Sequence, residues 1–117
     1  MSETVENLVQ RYLDAWNEPE EGPRRTTVEA IFTENGGYVD PNAEVTGRNA
    51  FAEYLGTERE KFGGLVFTLG RFVDEHHGTA LFTWRLGNQD GTGAVATGYD
   101  AMVFENGRIR QVYGFFD

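Results

Sequence analysis

The sequence predicts an α+β domain in which helices from the first half of the chain pack on a curved, mainly antiparallel sheet from the second half. Apolar residues recur at steps of three and four in the first half and at steps of two in the second. These are the periods of amphipathic helices and of strands, respectively. With 117 residues and 39% hydrophobic residues, the chain has the size of one domain, covering residues 1–117.

The first helix is predicted from six apolar residues that share one face. They are Val5, Leu8, Val9, Tyr12, Leu13 and Trp16. Ser2 is the expected N-cap, because its hydroxyl can accept a hydrogen bond from a free backbone N–H of the first turn. Pro19, Gly22 and Pro23 are expected to break the helix before a second, shorter one begins.

The second helix is expected to place Phe32 on its inner stripe and to end at the Asn-Gly-Gly of residues 35–37, which is typical of a left-handed cap. Residues 38–40 read as a short strand. A third helix follows Gly47, with its buried stripe at Phe51, Tyr54, Leu55 and Phe62.

Four strands are predicted to form an antiparallel meander. They cover residues 65–73, 80–86, 94–104 and 109–116. Asn106-Gly107 is a two-residue hairpin signal between the last two strands. On the second of these strands, Trp84 and Arg85 point to opposite faces, so an inward Trp84 requires an outward Arg85.

A carboxylate interrupts an apolar face of the third long strand, where Asp100 alternates with Gly98 and Met102. An ionised carboxyl facing an aromatic interior is costly, so we expect Asp100 either to find donors or to stay protonated with a raised pKa. A solvated Asp100 at an open rim is the equally weighted alternative. Asp40, before Pro41, is a second acid whose simplest interpretation is a turn that bonds its own backbone.

The composition excludes several classes of function. The net charge of −9 disfavours nucleic acids and anionic membrane surfaces as partners. The absence of cysteine excludes disulfides, thiol catalysis and Cys-ligated zinc. His76 and His77 are adjacent and point different ways, so no metal is expected, and no glycine-rich turn matches a phosphate loop. No cofactor is predicted. The N-terminus shows no signal peptide or membrane span, so a soluble, cytoplasmic protein is expected.

Four segments carry a resemblance to a known superfamily. They are residues 8–17 of the first helix, Tyr38-Val39-Asp40-Pro41, Gly47-Arg48 at the start of the third helix, and residues 99–109 around the last hairpin. With the element order, they make the chain similar to the nuclear transport factor 2-like superfamily, and within it to the SnoaL-like polyketide cyclases and ketosteroid isomerases. The resemblance covers nearly the whole chain and implies a cystatin-like, cone-shaped barrel with a deep pocket.

The resemblance also implies roles for three residues. Asp40 matches the general base of the isomerases, Tyr12 their helix-one oxyanion donor, and Asp100 their second, protonated donor. The pocket is expected to be lined by Trp16, Tyr38, Phe67, Trp84, Met102 and Phe115.

The expected function is proton transfer on a small apolar carbonyl compound, by isomerisation or aldol-type cyclisation. The alternatives are a non-catalytic domain that binds a small hydrophobic ligand and a protein-interaction module of the same fold. A further alternative is water attack on an epoxide, as in the limonene-epoxide hydrolase branch of the superfamily; that resemblance implies Arg85 in the cavity between Asp40 and Asp100. A homodimer is expected through the apolar outer sheet face formed by Val95, Tyr99, Ala101 and Val103.

Overall fold

Three helices and a six-stranded sheet make up the computed structural model, which describes residues 4–117. The helices are α1 (Val5–Asn17), α2 (Glu21–Ile31) and α3 (Arg48–Phe62). The strands are β1 (Phe32–Asp40), β2 (Ala43–Thr46), β3 (Val66–His76), β4 (Thr79–Gly87), β5 (Ala96–Glu105) and β6 (Arg108–Phe116). The predicted α+β class is therefore confirmed. Within residues 4–117, no helix has the length and apolar character needed to cross a bilayer.

The sheet is ordered β2-β1-β6-β5-β4-β3 and stays open, with β2 and β3 at its edges. The meander β3 to β6 is antiparallel, as predicted, and β1 joins it by pairing parallel to β6. In register, Phe82 on β4 faces Asp100 on β5, which faces Gly114 on β6. This row of three inner-face positions fixes where Asp100 enters the interior.

Tyr12 lies at the centre of an aromatic core between the helices and the sheet. Its ring centroid is 6.2 to 6.4 Å from the rings of Trp16, Phe32, Phe51 and Phe82. The helix face predicted from the spacing in α1 is the buried one, since Leu8, Val9, Leu13 and Trp16 are all buried beside it. Ring-to-ring packing of this kind stabilises a core beyond its buried area.

The ends of the first two helices differ from the prediction. Ser2 lies outside the described residues, and Thr4 is the N-cap of α1: its hydroxyl accepts a hydrogen bond from the Asn7 N–H at 3.1 Å. Gly22 and Pro23 do not separate the helices but lie in the first turn of α2. Proline is tolerated there because N–H groups of the first turn have no partner within the helix.

The prediction that residues 35–37 end a helix is wrong. The chain turns into β1 at Phe32, and the two glycines lie within that strand. A Cβ at Gly36 would lie 2.8 Å from the Phe32 ring and 3.0 Å from the Ile109 carbonyl oxygen. The glycine is therefore needed for close packing rather than for a left-handed cap. The short strand β2, which pairs with the end of β1, was also missed.

The two other turn predictions are confirmed. Gly47 is the N-cap of α3 with φ of 93°. Asn106 and Gly107 connect β5 to β6 with φ of 52° and 76°, so both have the positive φ that a type I′ hairpin requires.

Candidate functional site

A cavity of about 270 Å³ lies between the inner face of the sheet and helices α1 and α3. Tyr12, Asp40 and Asp100, which come from α1, β1 and β5, all line it. Four predicted lining residues are also on its wall: Trp16, Tyr38, Phe67 and Trp84. The cavity is large enough for several water molecules and is lined largely by aromatic rings, so it suits a small ring compound.

Asp100 is a buried acid on the floor of this cavity. Its residue is 5% exposed, and its Oδ1 accepts a hydrogen bond from the indole N–H of Trp84 at 3.2 Å. Burial raises the pKa of Asp100 to about 7, an effect that the nearby charge of Asp40 reinforces and that Tyr12 and Trp84 partly offset. Of the two alternatives left open by the sequence, the structure supports the buried carboxyl with a raised pKa over the solvated one.

Tyr12 places a phenol hydroxyl at the same end of the cavity, where it has no hydrogen-bond partner within residues 4–117. The residue is 1% exposed, and its Oη has no hydrogen-bond partner among the described residues. Burial raises the pKa of Tyr12 well above its usual range, and the charge of Asp100 raises it further. The two groups are thus neighbours, but their approach lacks the geometry of a full hydrogen bond. The phenol O–H is therefore an unused donor beside the cavity.

Asp40 occupies the half-buried end of β1 and has two donors. The Tyr38 hydroxyl donates to Oδ2 at 2.6 Å, and the Asn42 backbone N–H donates to Oδ1 at 2.8 Å. The second contact is the turn predicted for an Asp before a proline. The first fixes the carboxylate toward the cavity, and burial together with this bond raises the pKa of Tyr38 above its usual range.

Gly114 lies between the two acids. A Cβ at this position would lie 3.2 Å from Oδ1 of Asp100 and 3.3 Å from Cβ of Asp40. Because glycine has no side chain, the carboxyl groups from β5 and β1 share the space above β6.

Two of the predicted lining residues are elsewhere. Met102 points inward but is fully buried in the core and does not reach the cavity. Phe115 is 57% exposed on the outer face, and its neighbour Phe116 lines the cavity instead. The pairing of β5 with β6 shifts register between Phe104–Ile109 and Val103–Gln111, so one residue of β6 is extra. This bulge reverses which side chains of β6 face inward. Ile109 and Gly114, an odd number of residues apart, are therefore both buried on the same face.

Sequence reasoning missed a polar residue on α3. Tyr54, Glu58 and Phe62 line the cavity from one stripe of this helix, at steps of four. The stripe is predicted from its apolar residues, such as Tyr54 and Phe62, and that prediction does not include the carboxylate of Glu58 between them. An acid within an apolar stripe is the same signal that singled out Asp100, so the pattern could have identified Glu58 as well.

Arg85 lies outside the cavity, as the alternation on β4 predicted. It is exposed, and its guanidinium donates to the Gly91 carbonyl at 2.7 Å. The arrangement required for water attack on an epoxide, with Arg85 between the acids, is therefore not formed. Among residues 4–117, no three His, Asp or Glu side chains cluster in a way that could hold a metal ion.

An open cavity with a buried acid, set between helices and a curved sheet, defines a class of small α+β pocket proteins. The SnoaL-like domain family matches residues 9–112 of the chain. The protein therefore belongs to the SnoaL-like family, as the resemblance implied.

Solved structures agree with this assignment. A candidate isomerase of the SnoaL-like family from Agrobacterium tumefaciens is 39% identical, with 94% of each chain covered and a TM-score of 0.87. A candidate ketosteroid isomerase from Kribbella flavida is 19% identical, with 94% of this chain and 75% of that chain covered and a TM-score of 0.69. A candidate polyketide cyclase from Sinorhizobium meliloti is 17% identical, with 92% of each covered and a TM-score of 0.70. The last two show the shared fold alone. No curated protein matches the sequence.

Proposed function

We propose that the protein catalyses proton transfer at the carbon next to the carbonyl group of a small, apolar compound, in an isomerisation or an aldol-type cyclisation. One observation carries the proposal: two carboxyl groups in different environments share a cavity with a buried, unpartnered phenol. Asp100 is buried and its pKa is raised to about 7, whereas Asp40 is half-buried with two donors. Such a division suits one acid for donating a hydrogen bond and the other for accepting a proton.

In the proposed reaction, the carboxylate of Asp40 removes a proton from the carbon next to the carbonyl. The electron pair of the broken C–H bond forms the enolate, and its oxygen accepts hydrogen bonds from Tyr12 and from protonated Asp100. In an isomerisation, Asp40 returns the proton to another carbon of the conjugated system. In an aldol-type cyclisation, the enolate carbon instead attacks a second carbonyl of the same molecule, and the alkoxide that forms takes the proton back from Asp40.

The named relatives support this direction, since one is called a candidate isomerase, one a candidate ketosteroid isomerase and one a candidate polyketide cyclase.

Deuterium exchange into 2-tetralone, a two-ring ketone, tests the proposal. Exchange of the protons beside its carbonyl in D2O, followed by NMR, is expected to be accelerated by the wild-type protein. Asp40→Asn should lower the acceleration by about 10² or more, because the base is lost. Asp74→Asn changes the same residue type at an exposed position on β3 and is expected to leave the rate unchanged. Equal rates for wild type and Asp40→Asn would remove Asp40 as the base.

Binding without chemistry is the second candidate, favoured by the aromatic rings that line the cavity. In that case a two-ring compound binds to the wild-type protein and no deuterium enters it. The interaction-module alternative called for a filled cavity, and the open volume of about 270 Å³ favours the two pocket functions over it.

We also propose that the protein is a homodimer that pairs through the outer face of the sheet. Tyr99 and Phe115 are direct cross-strand neighbours there, and Ala101 pairs with both Leu81 and Tyr113. These residues form one continuous apolar surface across β4, β5 and β6. The cytoplasmic location expected from the sequence stays a prediction.

A further inference from the structure

Glu58 places a third carboxylate on the cavity, at its half-exposed rim. Its side chain is 16% exposed, and Oε1 lies 3.4 Å from the Tyr54 hydroxyl, which donates to it. Lys61, whose side chain is 64% exposed, approaches Oε2 to 2.8 Å. Burial raises the pKa of Tyr54 above its usual range, and the charges of Asp40 and Glu58 raise it further. The rim therefore pairs the Tyr54 phenol with the carboxylate of Glu58.

No cationic side chain balances these acids on the cavity wall. Among the described residues that line it, there is no Lys, Arg or His. Lys61 pairs with Glu58 at 2.8 Å and opposes part of its charge, but its side chain is 64% exposed and lies outside the cavity lining, so water screens the ammonium more than the carboxylate. The guanidinium of Arg59 lies 5.9 Å from the ring of Phe62, but it donates to the backbone carbonyls of Trp16, Gly63 and Leu65. Those carbonyl dipoles partly screen its charge, so we expect the field inside the cavity to be negative.

The buried end of the cavity gives an independent indication of a ligand. The unpartnered hydroxyl of Tyr12 at that end is a donor that calls for a neutral acceptor such as a carbonyl oxygen. The rim suits a different chemical group, a cation. Tyr54 and Phe62 stand on either side of Glu58 along the same stripe of α3, and aromatic faces beside a carboxylate favour a cation.

We propose that Glu58 is a specificity-determining residue: among carbonyl compounds with an apolar ring body, the cavity prefers those that also bear a protonated amine over those that bear a carboxylate. The amine would lie at the rim beside Glu58, and the carbonyl would point toward Tyr12. The carbonyl part rests on the proposed function, whereas the charge preference concerns binding alone and needs no turnover.

Three naphthalene probes that differ in charge test this preference: 2-naphthol, 2-naphthylmethylammonium and 2-naphthoate. Their dissociation constants are measured by calorimetry at low salt and near neutral pH. The wild-type protein is expected to bind the ammonium more tightly than 2-naphthol, and 2-naphthoate more weakly. In Glu58→Gln, the ratio of the ammonium affinity to the carboxylate affinity should fall by about tenfold, since one unit charge at the rim is lost. The affinity for neutral 2-naphthol should stay the same.

Glu60→Gln is the matched control, because it removes the same charge from an exposed position of the same helix. It is expected to change the ratio by less than about twofold, because the exposed carboxylate of Glu60 acts on the cavity through water, where the dielectric constant is high. Lys61→Gln should raise the ratio, since it removes the ammonium that opposes Glu58. Equal ratios in wild type and Glu58→Gln would overturn the inference, as would a fall of the same size in Glu60→Gln. Charge-dependent binding without deuterium exchange into 2-tetralone would contradict the catalytic proposal and leave this one standing.

Discussion

The indole N–H of Trp84 donates to Oδ1 of Asp100 at 3.2 Å, reaching diagonally from β4 to β5. The residue directly opposite Trp84 is Gly98, where a Cβ would overlap the indole ring. Glycine at this position therefore allows the ring to lie over the strand and point its donor at the acid. One such donor does not compensate for burial, and the pKa of Asp100 is raised to about 7.

Because the pKa of Asp100 is raised, the unfolding free energy should decrease as the pH rises. The folded protein holds this proton more tightly than the unfolded chain, whose pKa is near 3.8. The stability that results is fully present below about pH 4 and is lost as the pH rises through about 7. As the pH rises from about 4 to about 7, the unfolding free energy of wild type should therefore decrease relative to that of Asp100→Asn, by up to about 4 kcal/mol. Urea unfolding of both proteins across this range measures the difference.

Asp74→Asn provides the reference for an exposed carboxyl in the same experiment. Its difference in unfolding free energy from wild type should change less with pH than that of Asp100→Asn. A constant difference between wild type and Asp100→Asn would show that the Asp100 carboxyl titrates alike in the folded and unfolded chains, which contradicts its burial.

Tyr12→Phe is expected to separate stability from activity. The substitution removes a buried hydroxyl that lacks a hydrogen-bond partner, and the ring keeps its packing. Since burial of an unsatisfied hydroxyl is unfavourable, the unfolding free energy should rise, by about 1 kcal/mol. The exchange rate of 2-tetralone should fall by about 10² or more, because the enolate loses a donor.

The exposed Tyr113→Phe is the control for the loss of a phenol O–H, and it should change neither quantity appreciably. A Tyr12→Phe protein that is clearly less stable than wild type would mean that the hydroxyl has a partner in the folded protein. In that event its role as a free donor would be lost.

The sequence was sufficient to predict features that depend only on the regular spacing of residues along one helix or strand. The buried face of α1, the inward direction of Asp100 and the outward direction of Arg85 all follow from steps of 3.6 or 2. It was insufficient where packing overrides the local signal. The sequence around Gly36 is typical of a helix terminus, but Gly36 lies in a strand and packs against the Phe32 ring. Along β6, the alternation of inward and outward side chains is interrupted by the bulge near Arg110. Contacts between distant strands decide both, and local patterns do not encode them.

The outer surface of the sheet yields the last prediction, a homodimer that depends on Phe115. This ring is 57% exposed and lies beside Tyr99 in the pairing of β5 with β6. Exposed rings on a continuous apolar surface are typical of an interface, and aromatic residues near its centre contribute most of the binding energy. Sedimentation of the wild-type protein is expected to show dimers at micromolar concentration.

Phe115→Lys should weaken the dimer by about 30-fold or more, because the interface would have to bury an unpaired ammonium. Thr57→Lys adds the same charge to an exposed position of α3, on the helix layer, and should leave the dimer intact. Binding of 2-naphthol by Phe115→Lys would show that the variant is folded, since the cavity opens on the other face of the sheet. A monomeric wild-type protein, or equal weakening by the two lysines, would contradict an interface on this face.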